Sequence, residues 1–213
     1  MGWFDWLFVA KDPNRQELEG LVFLSESGKF NWLEKAIGEG LKPMVPGRPV
    51  SAIVLVGHFE KTVEKLHAIV EQADSVIPVE ALLASDLPKM FRGGSEFDDS
   101  RSIEVLVAEK HPSLSKDDQM KDLIASMPFP TRIRFVVSLD DGLMRAFAGE
   151  SVRRILEMGG FDDEHPIESR MVDKRIRSAQ RRNDQMATSS LNADSAEEWM
   201  TKNGLARLLI DKE

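Results

Sequence analysis

Four residues stand where apolar runs give out. His58 follows "SAIVLVG", Glu109 and His111 follow "SIEVLVA", and Ser138 closes "TRIRFVVS". If those runs are parallel strands, their carboxyl ends meet along one edge of a sheet, the place where open α/β sheets hold ligands. Imidazoles, a carboxyl and a hydroxyl in such a crevice could move a proton or seat a small polar ligand. The bland alternative is four unrelated strand-end residues in loops. The histidines (His58, His67, His111, His165) lack metal-ligand spacing, and without cysteine there is neither a thiolate ligand nor a thiol nucleophile. No G-x-S-x-G elbow and no G-x-x-x-x-G-K-S/T phosphate loop occurs. "FRGGSEF" has paired glycines without the lysine and reads as a polar loop.

Two charged features are sharper. Asp140-Asp141 sits at the turn from "TRIRFVVSL" into "GLMRAFAGESVRRILEM", where Asp141 is expected to cap the helix N–H groups. Six basic residues then lie between Arg170 and Arg182, in a chain of net charge −8. Arg170, Lys174, Arg177 and Arg181 recur at helical spacing and form one face; Val172, Ile176, Ala179 and Met186 fall opposite, toward the domain. Such a row is either solvated or a surface for a partner's carboxylates.

The elements that must position these groups alternate. Continuous apolar runs around "AIVLVGH", "EVLVAE" and "RIRFVVSL" predict strands covered on both faces. "LEGLVFL" is a further short strand and "SVIPVEALLASDLP" a weaker one. Between them, "SGKFNWLEKAIGEG", "EKTVEKLHAIVEQA" and "SKDDQMKDLIASM" carry helical periodicity, the last with Ser115 as its N-cap. This alternation predicts a parallel sheet with helices on both faces. After it, "PIESRMVDKRIRSAQRRNDQM" reads as one long helix, "ATSSLNADS" as a linker, and "SAEEWMTKNGLARLLI" as a last helix with a Ser195/Glu198 capping box. The division predicted is an α/β domain over 1–165 and a C-terminal helical extension over 166–213.

Composition narrows the classes. The chain has 213 residues, 42% hydrophobic and 30% charged, enough for one core without staples. The absence of cysteine fits a reducing compartment. The acidic balance argues against broad nucleic-acid binding. No run reaches the ~20 apolar residues of a bilayer span. "MGWFDWLFVAKDPN" lacks a basic lead-in and is not read as a signal peptide. Its aromatics, including Trp3 and Trp6, are expected to fold back onto the domain, with peripheral membrane contact the alternative.

"SLDDGLMRAFAG" followed by "DDEHPIESRMVDKRIRSAQRR" resembles the SecA family, the motor ATPases of bacterial preprotein translocation. The likeness rests on Ser138, Leu139, Asp140, Asp141, Leu143, Met144, Arg145 and Phe147, then on Pro166, Ile167, Glu168, Met171, Val172, Ala179 and Gln180. "FLSESGKFNWLEKAI" and "VLVGHFEKTVEKL" extend it upstream, so it spans roughly Ser25 to Arg182. The resemblance implies the second RecA-like (P-loop-type) nucleotide-binding domain and the start of the scaffold helix, in a short degenerate form. It also exposes losses. Leu123 and Ser126 stand where the family carries its two finger arginines, while Gln119 is kept. ATP hydrolysis needs a phosphate cradle and an arginine finger.

The expectation is therefore a non-catalytic SecA-like module without cofactor, residing in the cytoplasm and binding a protein, a SecA-like chain or translocase component included. Arg170, Lys174, Arg177 and Arg181 would form the partner-binding row. The alternatives are nucleic-acid binding through that helix, or an enzyme using His58, Glu109, His111 and Ser138.

Overall fold

The computed structural model describes residues 15–18, 20–40, 49–92, 102–127, 130–168, 170–188 and 192–209. Three predicted strands form its centre: β3 (Val50–Gly57), β5 (Ser102–Val107) and β6 (Thr131–Ser138). They are parallel neighbours, with Val54 beside Val105 and Val105 beside Ile133. Their continuous apolar sequence follows from cover on both sides. Val54, Val56, Val105, Val107 and Phe135 point into one core with Leu87, Met120 and Ile124. Ile53, Leu55, Leu106 and Val136 point into the other with Leu33, Ile37 and Leu66. Each such side chain contributes about 1.5–3 kcal/mol when fully buried, so a strand apolar on every residue is stable only between two layers.

β4 (Val79–Leu83) adds beside β3 in parallel. On the far side, β1 (Arg15–Glu17) and β2 (Leu21–Phe23) both pair parallel with β6. Within "LEGLVFL" (18–24) the expected short strand is β2; β1 is a separate piece that precedes it. The break is at Gly20, where a Cβ would lie 3.1 Å from Asp173 Oδ1. The order is β4-β3-β5-β6-β2-β7, an α/β arrangement with a mostly parallel sheet, consistent with a RecA-like fold. Among the described residues β7 (Ile167–Glu168) is the one antiparallel addition, and it pairs with Leu21 and Val22. "PIE" was expected inside the long helix. Instead Ile167 packs into the core beside Val22 and Val137, and the helix begins at Arg170.

One face carries α1 (Glu26–Glu39) and α2 (Glu60–Gln72). The other carries α3 (Leu87–Arg92) and α4 (Leu114–Ala125). α1 is capped by Ser25, whose side chain accepts from Gly28 N–H at 3.1 Å. The α4 cap position is Ser113, not the expected Ser115, and its N–H goes to His111 Nδ1 at 2.9 Å. α5 (Gly142–Met158) and α6 (Arg170–Met186) share a core with β2 and β6.

α7 (Ala196–Lys202) leads to a closing 3-10 turn (Ala206–Leu208). Its predicted capping box forms with one change: Ser195 Oγ accepts from Glu198 N–H, but the Glu198 carboxylate accepts from Asp194 N–H rather than Ser195 N–H. The N-terminal aromatics, Trp3 and Trp6 among them, lie outside the described residues. Among the described residues no helix is long and apolar enough to cross a membrane.

Candidate functional site

The chain leaves β3 toward β4 on one side and leaves β5 toward β6 on the other. The crevice between the carboxyl ends of β3 and β5 is therefore the topological switch point, the usual ligand position in such sheets. His58 and His111 meet there, edge to face, with ring centroids 5.3 Å apart. His111 also stacks on Phe59 at 5.1 Å and takes the edge of Trp199 at 5.1 Å. Burial, then the neighbouring His58 charge, pushes the His111 imidazole down to about 3. It is a neutral, stacked ring whose Nδ1 accepts a backbone N–H, which disfavours it as a proton carrier near neutral pH.

The partner of His58 is Asp117, a residue the sequence did not single out. His58 Nε2 lies 2.9 Å from Asp117 Oδ1, close enough for an ion pair but without hydrogen-bond alignment. Asp117 is buried on α4 and accepts from His111 N–H at 3.0 Å and Gln180 Nε2 at 2.8 Å; Lys110 Nζ stands 3.9 Å off. Burial would raise its carboxyl, but His58, Lys110 and Gln180 outweigh this and hold it below the usual range. Gln180 also donates to His111 O at 2.7 Å, and Asn183 to Pro112 O at 3.1 Å. The chemistry of this cluster is structural: two α6 amides clamp the loop after β5.

The other two predicted residues belong elsewhere. Ser138 Oγ donates to Asp141 Oδ1 at 2.8 Å, and its N–H to Asp141 Oδ2 at 2.9 Å. Lys29, 1% exposed, reaches the same Asp141 Oδ1 at 2.5 Å and Ala108 O at 2.9 Å. Asp141 does occupy the N-cap position of α5, but its side chain makes no cap hydrogen bond. Lys29 and Ser138 hold the carboxylate back toward the sheet. Asp140 accepts from the N–H of Glu26, the first residue of α1, at 2.8 Å and pairs with Arg153 at 2.5 Å. The acidic pair thus ties the end of β6 to α1 rather than serving the helix after it.

Glu109 ties a loop as well. Its Oε1 accepts from His58 N–H at 2.8 Å and Phe59 N–H at 3.1 Å. Burial pushes its carboxyl up to about 7, against the pull of His58 and Lys29. Folding then favours proton uptake between the ordinary 4.5 and about 7. The stability held by the neutral form is full below that range and is lost as pH rises through it. Glu109→Gln keeps the acceptor oxygen without the charge. We expect it to match the wild type near pH 4.5 and to be more stable by up to ~3 kcal/mol at about pH 8. Urea unfolding at the two pH values checks this; equal stability at both would contradict it.

Two cavities open along this edge. A cleft of about 690 Å³ is lined by His58, Phe59, His111, Gln119, Leu123 and Trp199, among others. A second, of about 400 Å³, is lined by Glu26, Lys65, Glu109, Asp140, Asp141 and Glu197, among others. Among the described residues no cluster of His, Asp and Glu could hold a metal ion.

The basic helix is the remaining predicted surface. Ile176, Ala179, Gln180 and Asn183 are buried, and Val172 packs at the seam's start. Lys174 and Arg181 are exposed on the far side, offset by two residues from that seam. Arg177 leans toward Asp118 of α4 at 3.6 Å, a pair about two-fifths exposed. The Arg170 side chain lies outside the described residues. Met186, expected inward, is 37% exposed, because the seam's last buried contact is Asn183 and the helix ends beyond it.

The chain is 33% identical over 132 residues to protein translocase subunit SecA of Bordetella parapertussis, 61% of this chain and 14% of the relative. It is 28% identical over 192 residues to SecA of Heliobacterium modesticaldum, 81% of this chain and 22% of the relative. The chain is SecA-like. A shorter stretch of 78 residues is 40% identical to SecA of Aquifex aeolicus, 37% of the chain. The SecA-like chain thus spans between 8% and 22% of these relatives' lengths. No protein-family model matches it.

Proposed function

We propose that this chain is a non-catalytic SecA-like module that binds a protein partner in the cytoplasm, in a setting connected with protein translocation. The observation that carries the binding half is the α6 surface. Its seam is buried by apolar and amide side chains, while Lys174 and Arg181 are presented on the opposite side and, among the described residues, make no ion pair. Folding needs only the seam. A row of guanidinium and ammonium groups at helical spacing suits carboxylates of another protein. The relatives are named as subunits of a translocase, which makes a translocase component or a second SecA-like chain the fitting partner.

The non-catalytic half is supported by what fills the crevice. Leu123, at a position where the resemblance puts a finger arginine, lines the larger cleft beside Gln119 and Met120. The sequence supplies no phosphate loop. Titration of the chain with Mg-ATP in a calorimeter is expected to give no micromolar binding, and turnover is expected to equal the buffer blank. Micromolar binding or turnover above the blank would overturn this half of the proposal.

A further inference from the structure

The two cavities at the strand ends are halves of one feature. The larger is lined by Asn192, Ala193, Asp194 and Trp199, and the smaller by Ser195, Ala196 and Glu197. The same stretch of chain is the wall between them. On the sheet side the floor runs on from Leu83 at the end of β4, through His58 and His111, to Asp140 after β6. Without residues 192–209 there would be one groove across the ends of β4, β3, β5 and β6.

That stretch is attached as a separate piece. Ala196, Trp199, Met200 and Leu205 are buried in a cluster of their own, filled out by Ala187, Ala193, Leu208 and Leu209. Among the described residues, Phe59, Ala146 and Ala187 join it from outside 192–209, and the other three cores take nothing from beyond Ile176. Further holds on the body among the described residues include the Trp199 edge on His111, an Arg145–Glu197 ion pair, and Lys61 N–H to Asp194 O at 3.2 Å. The body accommodates it closely: a Cβ on Gly142 would lie 2.7 Å from Glu197 Cδ and 3.0 Å from Ala196 Cβ.

The groove's chemistry selects its occupant. It offers an aromatic floor in Phe59 and His111 and basic side chains in Lys61, Lys116 and Arg145. Of the body's carboxylates on it, Glu26, Asp140 and Asp141 are already held by Lys65, Arg153 and Lys29, and Glu109 by the N–H groups of His58 and Phe59, which leaves Glu60. An acidic helical turn followed by Trp and Met is what fits, and "DSAEEWM" is such a sequence. We infer that the strand-end crevice is a peptide groove filled in cis by residues 192–209, and that its ligand in trans is an acidic, tryptophan-bearing helical segment of another protein. The groove is separate from the basic row on α6, so reversing that row leaves this binding intact.

The test uses the full chain with a protease site replacing residues 189–191 and a fluorescent peptide of residues 192–209. After cutting, the peptide is expected to bind saturably by anisotropy. Before cutting, binding should be at least about tenfold weaker, because the tethered segment competes at high effective concentration. A peptide with Trp199→Ala should lose about tenfold or more, as buried tryptophan anchors do. Conversely, Trp199→Ala in the uncut full chain should tighten binding of the unaltered peptide. Equal binding before and after cutting, no binding by a cut chain that stays folded, or indifference to Trp199 would overturn the inference. So would unfolding on cutting, since the segment would then be part of the core.

Discussion

Lys29→Met lowers the free energy of unfolding by ~3–5 kcal/mol, the cost of leaving a buried charge without its partner. Lys29 sits in the second turn of α1 with a side chain 2% exposed, and its two bonds, to Asp141 and to Ala108 O, join α1 to the ends of β5 and β6. Methionine fills the same volume but donates nothing. Asp141 keeps the two donors of Ser138 yet faces an apolar group where an ammonium stood. At roughly 2–4 °C per kcal/mol for a chain of this size, the thermal midpoint should fall by about 10 °C. Adding Asp141→Asn should restore most of the loss, because removing both charges removes the desolvated, unpaired carboxylate. Thermal and urea unfolding of the two single variants and the double variant measure the coupling. A Lys29→Met loss below ~1 kcal/mol would mean that the pair behaves as an exposed one and does not hold α1.

The sheet was readable because its signal is local. β3, β5 and β6 are apolar at nearly every position, and only a strand between two layers has that pattern. His58 and Glu109 were readable for the same reason, as the first polar residues after those strands, with His111 two positions further on. What they touch was not. Asp117 looks like one more acid in the polar "SKDDQ" turn, and Gln180 like one more solvated amide in a basic helix. Their burial comes from α4 and α6 closing on a loop, across 63 residues of sequence. Lys29 is hidden in the same way, since nothing in "SGKFNW" says that its ammonium reaches a carboxylate 112 positions later. Asp141 was misread because a carboxylate before a helix is usually a cap, and here a lysine and a serine claim it first.

The partner-binding row proposed on α6 is tested by a quantitative pull-down. The wild-type chain and a variant with Arg170, Lys174, Arg177 and Arg181 all changed to Glu are used as baits in nuclease-treated lysate of the source cell. Recovery is read by mass spectrometry, and the thermal midpoint of each bait is measured beside it. Changes at exposed positions such as Lys174 and Arg181 usually alter stability by no more than ±0.5 kcal/mol each, so the two midpoints are expected nearly to coincide. The exposed Arg177–Asp118 pair adds little to lose. The account predicts a protein captured by the wild type and reduced about tenfold or more by the variant, with capture weakening as salt is raised. Equal recovery of every protein by both baits, or a variant that no longer folds, would contradict it.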